Sequence, residues 1–144
     1  MAGLKGVRDQ LRVTVFLTYT ERYAKVMDGV PFDARRPGSG YRLDSQPADE
    51  RDRVLGAFRE YFNLCAEEMW LHEHRRIDQA TWRVWECGMQ QVARFPSSQE
   101  AWEFLFSEYA YYGEFQDFVT RDLLEGERRC GRQAAGERPD CRMS

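Results

Sequence analysis

Glu68, His72, Cys65 and Glu86 are the side chains of this sequence whose types and spacing could support chemistry. Glu68 and His72 stand one helical turn apart, so on a helix a carboxyl and an imidazole share one face. Glu68 and Glu86 fall on two successive amphipathic segments. A hairpin of those segments would set the two acids across one cleft, as acid–base work requires. Cys65 adds a thiol near Glu68, a weak option as a nucleophile. Each residue also has a commoner structural role. A buried acid more often pairs with an arginine than acts in catalysis, and a cysteine on an apolar face packs as a small hydrophobe. The expectation is therefore a structural His72 hydrogen-bonded to Glu68, with an arginine for the buried acid. Under that reading Glu68→Gln costs stability. No catalytic residue is assigned.

His72-Glu73-His74 also raises metal binding, since imidazoles are common zinc ligands. Positions i and i+2 of a helix point about 200° apart, which keeps the two rings from one ion. No metal ligand and no cofactor are expected. The chain holds no phosphate-cradling glycine loop, no G-x-S-x-G and no H-E-x-x-H. Cys65, Cys87, Cys130 and Cys141 show no C-x-x-C spacing, which fits a reduced, cytoplasmic protein better than a disulfide framework. Cys87 falls off the apolar stripe of its segment and is expected to be exposed.

The elements that must position these residues are helical throughout. Leu11, Val15, Tyr19, Tyr23 and Val26 recur at helical spacing and predict a first helix over 7–27, with Val13 and Leu17 on a second apolar side. Glycines and prolines between 29 and 47 predict a long loop. A second helix starts near Pro47, with Asp49 and Glu50 favourably placed against its N-terminal dipole. Val54, Phe58, Tyr61, Phe62, Cys65, Met69 and His72 share its buried face. It breaks near Arg75-Arg76. Asp78 is set to cap a third helix, with Trp82, Trp85, Met89 and Val92 as a buried stripe. After Pro96, Ser97-Ser98-Gln99-Glu100 reads as a capping box for a fourth helix carrying Trp102, Leu105, Phe106 and Tyr109. Phe115, Phe118, Val119 and Leu123 mark a shorter fifth. From 126 to 144 apolar periodicity ends, and a disordered tail is expected.

The fold class is thus all-α: a compact bundle of four to five helices around a central helical hairpin, one domain over 1–125. At 144 residues the chain can bury one core, and a net charge of −3 gives no general attraction to nucleic acid. No run approaches the roughly 20 apolar residues of a membrane span.

The run Tyr61-Phe-Asn-Leu-Cys-Ala-Glu-Glu-Met-Trp-Leu, with Arg76-Ile-Asp and Val84-Trp-Glu-Cys-Gly-Met89, resembles a group of small bacterial all-helical proteins of unknown function. Phe16-Leu-Thr-Tyr-Thr-Glu-Arg-Tyr23 and Glu114-Phe-Gln-Asp-Phe118 extend the likeness over roughly residues 14 to 121. The resemblance implies a helical fold and carries no activity. Some members have a membrane-spanning segment before the first helix; none is expected here. With no catalytic motif and a two-sided first helix, the function expected first is a non-enzymatic interaction module. It would bind a protein partner or a second copy, and not nucleic acid. The alternative is a small-ligand-binding protein or enzyme with a pocket around Glu68 and His72.

Overall fold

Arg, Glu, Val, Leu and Ala are the commonest residues of the long apolar-striped segments, and these fold as helices packed through large aromatic side chains. The computed structural model describes residues 2–125. In order come α1 (Ala2–Met27), α2 (Phe32–Arg35), α3 (Ala48–Glu73), α4 (Gln79–Val92), α5 (Ser98–Leu105) and α6 (Gly113–Asp117). A 3₁₀ turn, Leu43–Ser45, precedes α3, another, Phe106–Tyr109, follows α5, and a π-helical segment, Phe118–Glu125, continues α6. No strand occurs among the described residues. The tail expected at 126–144, with Cys130 and Cys141, lies outside them.

The organising element is α3: α4, its partner in the hairpin, packs against it, and so do α1 and α5. Val54, Phe58, Tyr61, Phe62, Cys65 and Met69 put one continuous face of α3 into the core. Phe62 sits 4.8 Å from Trp102, ring to ring, and Tyr109 donates its hydroxyl proton toward the Asn63 Oδ1 (2.8 Å), with the Arg59 carbonyl also within 3.1 Å. Pro47 precedes the first turn of α3, with Asp49 and Glu50 inside it. Its C-terminus closes through Arg75, which adopts the left-handed region (φ 56°), while Arg76 N–H donates to the Leu71 carbonyl at 2.8 Å. This satisfies carbonyls the helix would otherwise leave open. Asp78 then caps α4, accepting from Thr81 N–H at 2.8 Å.

Three expectations change. The first helix starts at Ala2, and its N-terminal half runs beyond the body: Val15, Phe16, Tyr19, Tyr23 and Val26 pack, whereas Leu11 is 61% exposed, with Leu4, Val7, Val13 and Leu17 exposed as well. The loop over 29–47 is docked by buried Val30, Ala34 and Leu43 and contains α2. The capping box does not form. Ser97 donates to the Ala34 carbonyl, Ser98 to that of Val92, and Glu100 accepts from the Leu43 and Asp44 N–H groups. The reason is competition: the docked loop offers unsatisfied N–H groups that Glu100 reaches in place of its own helix start.

Candidate functional site

Tyr61, Cys65 and Glu68 follow one another at i, i+4 and i+7 on α3, which turns all three toward the same side. At Glu68 that side meets a cavity of about 230 Å³ where α1 crosses over α3 and α4. From α1 come Tyr19, Thr20 and Tyr23; from α4 come Val84, Trp85, Gly88, Met89 and Gln91. The aromatic walls stand at angles to one another. Tyr23 meets Tyr61 edge-on (6.2 Å, 64°), and Tyr19 is tilted against Trp85 (5.2 Å, 41°). Gly88 helps keep the space open, since a Cβ there would meet no atom within 4 Å.

Glu68 is 6% exposed. Among the described residues its carboxyl takes part in no hydrogen bond or ion pair, since Arg22, the nearest cation acting on it, is held by Glu67. Both guanidinium nitrogens of Arg22 donate to Glu67, each at 3.0 Å, and Tyr19 adds its hydroxyl at 3.1 Å. Burial pushes the Glu68 acid up to about 8, opposed by Arg22 and helped by the neighbouring Glu67 carboxylate. Near neutral pH Glu68 is therefore chiefly a neutral acid. The Trp85 indole N–H, itself fully buried, lacks a hydrogen-bond partner among the described residues, and the Tyr61 hydroxyl has only the weakly bonding Cys65 thiol. Each such buried group costs about 1–3 kcal/mol when nothing bonds to it.

The sequence candidates separate. Glu68 lines the cavity, and Cys65 lies fully buried behind it, its thiol pushed well up by burial and so unsuited to nucleophilic attack. The expected Glu68–His72 hydrogen bond does not form. His72 lies flat on Trp82 instead (4.3 Å, 5°), where burial lowers its basicity. The indole face gives the imidazole a larger contact than the acid would, and this holds it away from the cavity. His74 turns to Trp70, stacked at 4.0 Å with Nδ1 2.9 Å from the Trp70 carbonyl. The two imidazoles thus serve different neighbours, and no group of three metal-ligating side chains gathers among the described residues. Glu86 is half-buried on α4 and does not line this cavity, so the two acids do not share it. Nor does a buried arginine pair with Glu68; Glu67 takes that arginine at the surface. Cys87, expected on the outside, is 5% exposed.

The residues missed from sequence are Tyr19, Tyr23, Tyr61, Trp85 and Gly88. One signal was available. Tyr19 and Tyr23 are spaced i, i+4, and Gly88 interrupts α4 one residue before the stripe position Met89. Which helix faces which was not readable.

Among the described residues no helix is long and apolar enough to cross a membrane. No family model, curated protein or solved structure matches the chain.

Proposed function

We propose that this chain is a small-ligand-binding helical protein whose site is the Glu68 cavity between α1, α3 and α4. The observation that carries this reading is a buried acid, Glu68, with no protein hydrogen bond among the described residues, lining a cavity walled by Tyr19, Tyr23, Tyr61 and Trp85. A fold that only needed to pack this position would place an apolar group there without the cost of burying an acid. The volume, about 230 Å³, falls just below the roughly 300–1,000 Å³ of sites for drug-sized ligands, and suits a compact molecule. Cys65, the thiol beside Glu68, is fully buried and its thiol is pushed well up, which favours binding over covalent catalysis. Free, buried thiols at Cys65 and Cys87 accord with a cytoplasmic setting.

The test is an NMR screen of small cationic, neutral and anionic compounds against the labelled protein. Binders are expected to shift the resonances of Tyr61, Glu68, Trp85 and Gly88, and Gly88→Leu, which fills the space, is expected to abolish those shifts. Resonances unmoved by every compound, or binding that survives Gly88→Leu, would refute the reading. A second reading, a protein partner or a second copy, draws on the exposed Leu4, Val7, Leu11, Val13 and Leu17 of α1. Sedimentation analysis decides it: a dimer that Leu11→Lys dissociates would favour this reading, and a monomer at all concentrations would count against self-association.

A further inference from the structure

The composition of the cavity walls narrows the ligand class. Tyr19, Tyr23, Tyr61 and Trp85 supply four aromatic side chains around one space, and their rings are angled to one another and not stacked in parallel. An aromatic-walled space with a single acid is the kind of site that attracts an organic cation. The single acid at the same cavity, Glu68, has no protein cation of its own. Arg22, the guanidinium nearest to it, is engaged by both Glu67 oxygens and lies over the Tyr19 ring at 4.9 Å. An anionic guest would meet Glu68, while the nearby Arg22 is already neutralised by Glu67. A cationic guest would meet aromatic faces and a carboxyl without a partner.

We infer that the Glu68 cavity takes a free, small organic ammonium compound, its cationic head against the aromatic walls and the Glu68 carboxylate. This rests on the cavity being a ligand site at all. Binding has a proton balance. The neutral acid of Glu68 ionises as the cation enters, and one proton passes to solvent, so affinity rises with pH and levels off above the Glu68 midpoint near 8.

Other groups around Glu68 keep their charge over that window. On α1, Tyr19 and Tyr23 are raised by burial and stay neutral, and Arg22 is raised further by Glu67. On α3, Tyr61 and Cys65 are pushed well up by burial, while Arg22 holds Glu67 below the usual carboxylate range. The lining residues of α4, from Val84 to Gln91, bring no ionisable group to the cavity.

The test compares choline, whose charge does not titrate, with 3,3-dimethylbutan-1-ol, its neutral isostere, by isothermal titration calorimetry and NMR on the full chain. Choline is expected to bind at least about 10-fold more tightly than the isostere. Its affinity should rise between pH 6 and 8, and Glu68→Gln should remove both the preference and the pH dependence. Equal or tighter binding of the isostere at the cavity would overturn the ammonium assignment and leave the ligand site standing. If no compound of any charge shifts the cavity resonances, both readings fall. A lipid headgroup could carry the same ammonium group, and sedimentation with phosphatidylcholine vesicles separates the sources. Protein that stays in the supernatant supports a free ligand, and pelleting with the vesicles would overturn it.

Discussion

The behaviour of Glu68 follows from what its carboxyl lacks. Burial raises it to about 8, against an ordinary value near 4.3 for an unfolded glutamate. Between those pH values the folded chain holds a proton that the unfolded chain has lost, so stability falls as pH rises and levels off above about 8. The slope can reach about 1.4 kcal/mol per pH unit. Glu68→Gln is expected to flatten this dependence and to raise stability at pH 8 and above, as checked by urea denaturation from pH 5 to 9. The sequence alone pointed the other way, to a loss, because it assigned Glu68 a histidine and an arginine that turn out to serve Trp82 and Glu67. A buried, unpaired acid was legible as an acid on an apolar face; its lack of partners was not. At Gly88 the expected change is also a gain. Gly88→Ala should stabilise by about 0.5–1 kcal/mol, since helical glycine is entropically costly and no neighbour crowds the added methyl.

At the scale of the elements, end structures decide more than periodicity does. The apolar stripes of α3 and α4 and the Asp78 cap were readable because 3.6-residue spacing and a capping side chain are local properties. The Ser97–Glu100 segment was misread because Glu100 caps a turn that is 57 residues away at Leu43. Glu100→Ala is expected to cost about 1–2 kcal/mol and to speed amide exchange at Leu43 and Asp44, measured by hydrogen exchange. Arg75 ends α3 with a left-handed backbone that side chains disfavour. Arg75→Gly is accordingly expected to gain up to about 1 kcal/mol in chemical denaturation. The length of α1 was underestimated for a related reason. Its first half makes no core contact and is held by helical bonds and local pairs such as Arg12–Asp9.

For the whole molecule, the all-α class was legible and its assembly was not. Nothing in the spacing of Tyr19 and Tyr23 says that α1 crosses both α3 and α4, yet that crossing makes the cavity. The same layout divides α1 into a packed half and a free half. Removing residues 2–12 should leave the unfolding transition nearly unchanged, whereas Phe16→Ala, which takes away the partly buried ring stacked near Trp85, should cost about 1–3 kcal/mol, below the value for a full core position. Both are read by thermal unfolding. The fold holds an acid at the Glu68 cavity without a protein hydrogen bond among the described residues, ready for a ligand. The most direct measurement is the ¹³C titration of the Glu68 side-chain carboxyl in the intact chain. A midpoint near pH 8, moving down when choline is added, is the expected result. A midpoint in the ordinary carboxylate range, unmoved by choline, would contradict it.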